Sequence, residues 1–276
     1  MRPSTPLIFS HANSFGAATY GVLFQALKAR GIQVSAIDKY GHDPRYPVSN
    51  NWPNLVQQLI DFVRLQADQA GAPVFLAGHS LGGFLSLMAG SQAPRLVRGV
   101  LLLDSPLVGG WRAQALGLAK RTQLVGSVSP GKFSRKRRQH WPSFDAALAH
   151  FKSKKAFAKW HPQVLEDYIA HGTHDEVVNG QIQRVLSFDR EIETAIYNTL
   201  PSNLEALIRQ HPIKCPVAFI GGTRSSEISQ VGLDLTRRVT QGRLMMIDGS
   251  HLFPMEKPLV TAAAIEAALL NLQGLS

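Results

Sequence analysis

The sequence has almost no cysteine and no long apolar run. Cys215 is the single cysteine among 276 residues, which excludes an internal disulfide and argues against a thiolate metal cage. No apolar stretch approaches the roughly 18 residues that a membrane-spanning helix needs. Residues 1–6 also lack the apolar run of a signal peptide. We therefore expect a soluble cytoplasmic protein with no membrane span.

Acidic residues are nearly missing from one stretch of the chain. Between residues 107 and 165, twelve Lys or Arg residues accompany one acid, Asp145, whereas the rest of the chain holds 17 basic and 18 acidic residues. The simplest interpretation is the solvated face of an inserted domain. Attraction of an anionic substrate or of an acidic membrane surface are the alternatives. The basic cluster 135–138 lies in no recognisable nucleic-acid-binding module, so we expect no nucleic-acid partner.

Short apolar strands that alternate with amphipathic helices occupy both ends of the chain. The strands are predicted at 7–10, 34–37, from Val74, at 97–103, 217–220 and 244–247. Such alternation requires right-handed crossovers and a parallel sheet. We therefore predict an α/β fold with a mostly parallel sheet of about six strands and helices on both faces. The core comprises 1–105 and 201–276, and residues 106–200 interrupt it with basic and aromatic helical pieces.

The strand that begins at Val74 leads into a glycine-serine-glycine turn. Gly78 and Gly82 stand two residues before and two after Ser80, and helical spacing of apolar residues follows. A serine in a sharp strand-to-helix turn needs small residues at these positions because the backbone is crowded there. The pattern predicts Ser80 as a nucleophile and the Leu81 N–H as an oxyanion donor. An ordinary glycine-rich turn is the alternative.

Four sequence features together resemble the α/β-hydrolase family. They are, in chain order, residues 10–13 after the first strand, Asp38-x-x-Gly41-His42 after the second, Gly78-x-Ser80-x-Gly82 after the third, and Gly249-Ser250-His251 near the end. The resemblance implies that residues 106–200 form a helical lid over the substrate pocket. It also implies that His251 is the general base and that the backbone N–H of Asn13 is the second oxyanion donor. Asn13 as an ordinary loop residue is the alternative.

The acid that orients His251 has more than one candidate. Members of the family usually carry it shortly after the strand that here spans 217–220, but this chain has Ser225 at the expected position and Glu227 two residues later. Other members supply it from the strand after the nucleophile helix, where this chain has Asp104. A carboxylate at the end of a buried strand needs a partner, and His251 Nδ1–H is a suitable one. We therefore favour Asp104, with Glu227 and then Asp248 as alternatives.

These residues predict a serine hydrolase that cleaves a carboxylic ester or a thioester through an acyl-enzyme. A carbon–carbon bond hydrolase with the same triad and a non-catalytic small-molecule receptor are the alternatives. We expect a small acyl substrate, anionic if the basic stretch attracts it, and no cofactor or metal, because no ligand spacing is evident. Four aromatic residues of the lid either line the pocket or form the lid's own core: Trp111, Phe133, Trp141 and Trp160. The oligomeric state is not indicated.

Overall fold

The apolar strands from both ends of the chain form one parallel sheet. The structure, a computed structural model, describes residues 5–110, 134–135 and 137–274. The strands lie in the order β2-β1-β3-β4-β8-β9, and all neighbouring pairs are parallel. Their bounds are Thr5–Ser10 (β1), Ile32–Ala36 (β2), Val74–His79 (β3), Val97–Leu103 (β4), Val217–Gly222 (β8) and Leu244–Ile247 (β9), while β5 to β7 belong to the inserted segment. The predicted α/β fold with a parallel sheet of six strands is confirmed.

Helices cover both faces of this sheet because apolar side chains alternate along its buried strands. Leu7 and Phe9 of β1 face the core that includes the helices at 21–28 and 258–273. Ile8 faces the core formed with the helices at 53–70 and 81–92. The helices outside the inserted segment are Gly21–Lys28 (α1), Pro53–Ala70 (α2), Leu81–Gln92 (α3), Leu204–Gln210 (α7), Ser226–Val231 (α8), Asp234–Thr240 (α9), Phe253–Glu256 (α10) and Pro258–Gln273 (α11). In the described part of the chain, no helix has the length and apolarity of a membrane span.

The inserted segment after β4 contains strands as well as the predicted helices. Its described elements are His140–Trp141 (β5), Phe144–Lys152 (α4), Pro162–Gly172 (α5), Thr173–Val178 (β6), Gln181–Leu186 (β7) and Arg190–Asn198 (α6). The three strands form an antiparallel sheet in the order β5-β7-β6. Asn179 and Gly180 join β6 to β7, and both have positive φ angles, 53° and 77°. Asn-Gly is the strongest short-range signal of a two-residue hairpin, so this hairpin is a difference from the helical segment expected from the sequence.

The inserted segment is packed against the apolar clusters on both faces of the sheet, and Ile196 of α6 lies in the cluster with Ile8. Trp141 of β5 and Trp160, which precedes α5, are buried in the same apolar cluster as Leu7 and Phe9. The main chain also joins the two parts, since the His161 N–H donates to the carbonyl of Met255 at 2.9 Å. A shared core of this kind holds the inserted segment against the body of the protein. The domain boundaries at 105/106 and 200/201 stay a prediction.

Candidate active site

Ser80 lies at the turn between β3 and α3 with a strained backbone. Its φ and ψ angles are 53° and −114°, a region that residues other than glycine rarely occupy. Its N–H donates to the carbonyl of Leu103 in β4 at 3.0 Å. A Cβ atom on Gly78 would approach the Gly82 carbonyl carbon to 2.1 Å, and one on Gly82 would approach the Ser10 oxygen to 2.0 Å. Both glycines are therefore required by close backbone packing, as the nucleophile-turn pattern predicts.

Asp104 follows β4 and its carboxylate is buried among three donors. Oδ1 accepts the Gly222 N–H at 2.8 Å, and Oδ2 accepts the Ser225 hydroxyl at 2.5 Å. Oδ2 also lies 2.6 Å from His251 Nδ1. A buried carboxylate without such donors would be strongly unfavourable, so these contacts stabilise the charge. Ser225 stands where the family resemblance places an acid, and here its hydroxyl supports an acid that comes from another strand.

His251 follows β9 and lies between two carboxylates. Its Nδ1 is 2.6 Å from Asp104 Oδ2 and 3.5 Å from Glu227 Oε2. Because ionised carboxylates only accept, Nδ1 carries the proton and Nε2 retains its lone pair. Burial by itself lowers the pKa of His251, but the hydrogen bond that its Nδ1–H donates to Asp104 and the charges of Glu227 and Asp104 outweigh burial and raise the pKa above its usual value. The ring is therefore in the tautomer that a general base needs.

Ser80 and His251 are brought to the same edge of the sheet. The residue before Ser80, His79, has its ring centroid 5.1 Å from that of His251. Leu103, which pairs with the Ser80 N–H, directly precedes Asp104. The hydrogen bonds of the described residues do not include one between Ser80 Oγ and the His251 ring. A contact between His251 and Ser80 therefore stays a prediction, whereas the contact between His251 and Asp104 is present.

The first βα loop lies against the start of α3, where the sequence places the oxyanion donors. Asn13 is buried, and its side chain is already engaged, donating to the Glu193 carbonyl at 3.0 Å and accepting the Ser14 N–H at 3.1 Å. Leu81 is the first residue of α3, and first-turn N–H groups have no acceptor within their helix. Asn13 would thus contribute its backbone N–H, as predicted. The two oxyanion roles stay predictions.

His11 supports this loop instead of exchanging protons. Its Nε2 accepts the Tyr40 N–H at 3.0 Å, which leaves the proton on Nδ1 for the Ala12 carbonyl at 2.8 Å. Burial lowers the pKa of His11 to about 4, so the ring is neutral near physiological pH. The loop before Asn13 is therefore held by a neutral imidazole with both nitrogens occupied.

Glu193 of the inserted segment also holds this loop. Its carboxylate accepts the Ser14 hydroxyl and forms an ion pair with Arg137 at 3.0 Å, while its carbonyl accepts the Asn13 side chain. Both charged side chains are largely buried, so each charge needs the opposite charge of the other to compensate for the loss of water contacts. Glu193 could not be recognised from the sequence, because nothing in the local pattern of α6 indicates a contact with Asn13, 180 positions earlier.

The basic cluster 135–138 does not form one solvated patch. Arg137 is turned inward and also donates to the Tyr168 hydroxyl. Arg135 and Arg138 are exposed, and Arg138 Nε donates to the His140 carbonyl at 2.8 Å. Lys136 lies outside the described residues. Arg137 therefore contributes to the packing of the inserted segment. Only the other basic residues of the cluster could attract an anionic substrate.

Two of the four predicted pocket aromatics are placed by the structure, and both are buried. Trp141 contacts Phe151, with ring centroids 5.3 Å apart. Trp160 contacts Phe15, two residues after Asn13, at 5.5 Å. These contacts favour packing of the inserted segment as the main role of both tryptophans, although Trp160 is close to the first βα loop. Trp111 and Phe133 lie outside the described residues, and the pocket role of all four stays a prediction.

Asp104, Glu227 and His251 are also close enough together to be considered as metal ligands. Their ligand atoms all lie within 4.8 Å of one another. No sequence spacing could show this, because the three residues follow three different strands. Hydrogen bonds already account for both oxygens of Asp104 and for His251 Nδ1. The arrangement is thus suited to orienting an imidazole for proton transfer.

The chain belongs to the α/β-hydrolase family, because the sequence model of the alpha/beta hydrolase family matches residues 7–264. It is 27% identical to a monoglyceride lipase homolog of Monkeypox virus over 59% of this chain and 63% of that one. It is 33% identical to the monoglyceride lipase of Rattus norvegicus over 38% and 36% of the two chains. Each match thus spans less than two thirds of the relative. Among solved structures, a thioesterase domain from the curacin biosynthetic pathway superposes with a TM-score of 0.71 at 18% identity, covering 95% of this chain and 91% of that one.

Proposed function

We propose that this chain is a serine hydrolase of carboxylic esters that works through a Ser80–His251–Asp104 triad and an acyl-enzyme. The observation that carries the proposal is the 2.6 Å contact between His251 Nδ1 and the buried Asp104 carboxylate, beside the strained turn of Ser80. A neutral imidazole with its proton fixed on Nδ1 has its Nε2 lone pair free for the serine proton. The contact unites residues 147 positions apart, so local packing alone does not explain it.

The reaction would follow from this arrangement. Ser80 Oγ attacks the acyl carbonyl carbon while His251 Nε2 takes the hydroxyl proton, and Asp104 stabilises the imidazolium that forms. The N–H groups of Asn13 and Leu81 bind the oxyanion, each contributing about 3 kcal/mol to transition-state stabilisation. The imidazolium then gives its proton to the leaving alcohol. Water, deprotonated by His251, then attacks the acyl carbon. The bond from that carbon to Ser80 Oγ breaks, His251 returns the proton to Oγ, and the acid leaves.

The relatives favour an oxygen ester as the substrate. Two sequence relatives of this chain are a monoglyceride lipase and a monoglyceride lipase homolog. The structural likeness to a thioesterase domain rests on 18% identity and supports the fold alone. We therefore propose an ester with a small alcohol part, such as a monoglyceride, ahead of a thioester.

A fluorophosphonate probe tests the nucleophile directly. The wild-type protein should be labelled, and Ser80→Ala should not be labelled and should lose about 10⁶-fold in kcat with monoglyceride esters. Alanine removes only the hydroxyl, so the thermal unfolding temperature should not fall. Failure of the folded wild type to react with the probe, together with no turnover of any ester, would contradict the proposal and favour a receptor role. Faster turnover of thioesters than of oxygen esters with the same acyl chain would correct the substrate class.

A further inference from the structure

Three hydrogen bonds through two buried side chains connect the parts of the proposed catalytic site. The Ala12 N–H lies 3.1 Å from the Tyr20 hydroxyl, which lies 2.8 Å from His79 Nδ1. His79 Nε2 in turn lies 2.9 Å from the carbonyl oxygen of His251. Tyr20 and His79 are both fully buried. This series of hydrogen bonds runs from Ala12 in the first βα loop, through His79 directly before Ser80, to the loop that carries His251.

The direction of every hydrogen bond in this series is fixed by its two ends. The Ala12 N–H can only donate, and the His251 carbonyl can only accept. His79 therefore carries its proton on Nε2 and accepts at Nδ1 from the Tyr20 O–H, whose oxygen accepts from Ala12. A second proton on His79 would set two donors against each other at Tyr20. Each group is thus satisfied in a single arrangement with neutral His79.

The surroundings of His79 keep it neutral while the catalytic step occurs. Burial lowers the pKa of His79 well below its usual value, and the nearby charge of His251 lowers it further. The two rings are 5.1 Å apart. A charged His79 would repel the imidazolium that His251 becomes during the reaction, whereas the neutral tautomer donates to the main-chain carbonyl of His251 without that repulsion.

We propose that His79, held in its Nε2–H tautomer by Tyr20, is a positioning residue that fixes the main chain of His251 and thereby aims its imidazole at Ser80. The inference rests on the proposed function. Asp104 fixes the ring of His251 at Nδ1, and His79 fixes the carbonyl of the same residue. With both ends held, the two side-chain torsions of His251 have little freedom. A displacement of the reacting atoms by about 1 Å can cost roughly 100-fold in rate, so this second attachment matters for catalysis.

Two substitutions of His79 form a matched pair. In His79→Gln, the side-chain amide reaches the position of Nε2 and retains a donor to the His251 carbonyl. In His79→Asn, the amide occupies the position of Nδ1 and leaves that carbonyl without its donor. We expect His79→Asn to lose about 100-fold in kcat with KM changed less than about twofold, and His79→Gln to recover at least about tenfold of that loss. Thermal unfolding of both variants serves as the control for folding.

Tyr20→Phe gives a second test if the asparagine variant does not fold. It keeps the ring but removes the O–H that donates to His79 Nδ1, and we expect a kcat loss of about tenfold at unchanged KM. In the wild-type protein, nitrogen NMR of the imidazoles should show His79 protonated on Nε2 only, with no titration between pH 5 and 8.

Three results would overturn the positioning role. They are equal kcat losses in folded His79→Gln and His79→Asn, a loss confined to KM, and an Nδ1–H tautomer of His79 in the NMR spectrum. These outcomes are separate from failure of the proposed function. If the wild type is inactive and not labelled by fluorophosphonate, the serine-hydrolase proposal fails. If the wild type is active and His79→Asn matches it, the positioning proposal alone fails.

Discussion

The segments after β4 and β8 each bring a carboxylate close to His251. The two carboxylates differ in burial and in their distance from His251 Nδ1. Asp104 after β4 has no exposed side-chain surface and lies 2.6 Å from His251 Nδ1. Glu227, in α8 after β8, has 41% of its side chain exposed and lies 3.5 Å away. Its nearest side-chain donor is the Ser226 hydroxyl at 2.8 Å. The buried carboxylate can fix the orientation of the imidazole, whereas the exposed one acts through its charge, which solvent and salt screen.

If Asp104 is the triad acid, as we propose, residues after two different strands build the site of that acid. The chain has Ser225 where the family resemblance places an acid, and that serine donates to Asp104 Oδ2. The Gly222 N–H at the end of β8 donates to Oδ1. The β8 end thus provides donors to a carboxylate that the β4 end provides. The following substitutions test that division, from the largest expected effect to the smallest.

Asp104→Asn should cost about 10⁴-fold in kcat, because the amide has one acceptor oxygen for three donors. Its N–H₂ group would face either the Gly222 N–H or the Ser225 and His251 donors. Steady-state ester hydrolysis measures the loss, and fluorophosphonate labelling should slow in parallel. Glu227→Gln is the matched control, since it neutralises the other carboxylate. If Glu227→Gln shows the larger loss, Glu227 is the triad acid and the assignment to Asp104 is wrong.

Ser225→Ala should reduce kcat by about tenfold and lower the free energy of unfolding by roughly 1–2 kcal/mol. The substitution removes one donor from Asp104 Oδ2, and it also removes the cap of α8, because the Ile228 N–H donates to Ser225 Oγ. Ser225→Thr keeps the hydroxyl and should restore both quantities. Kinetics and urea unfolding would be measured on both variants. Wild-type activity in folded Ser225→Ala would show that the β8 end does not support the acid.

Glu227→Gln should have the smallest effect at high pH, where kcat/KM should change by less than about fivefold. The negative charge of Glu227 helps to raise the pKa of His251. His251 must be neutral to accept the serine proton, so removing that charge shifts the acid limb of the kcat/KM profile toward lower pH. High salt should shift the wild-type limb in the same direction and the variant limb less. A shift toward higher pH would contradict the electrostatic role.

The main sheet and the serine turn could be predicted from sequence because their signals are local. The strands at 97–103 and 244–247 have the bounds that the apolar pattern predicts. The glycine spacing around Ser80 is a signal within five residues, and the structure shows the crowding that requires it, at Gly78 from Gly82 and at Gly82 from Ser10 of β1. The β6–β7 hairpin also carried a local signal, Asn179-Gly180. This hairpin was therefore predictable from the sequence, although we expected only helices in the inserted segment.

By itself, the sequence determined which elements form and which residues stand at their ends, because periodicity and turn chemistry act over a few residues. It left open whether Asp104, Glu227 or Asp248 reaches His251. Tertiary structure decided this, because the distance between the ends of β4 and β8 depends on their parallel pairing, in which Leu103 lies opposite Ile220. The tautomer of His79 was also beyond the sequence, since it is set by donors and acceptors from three separate segments.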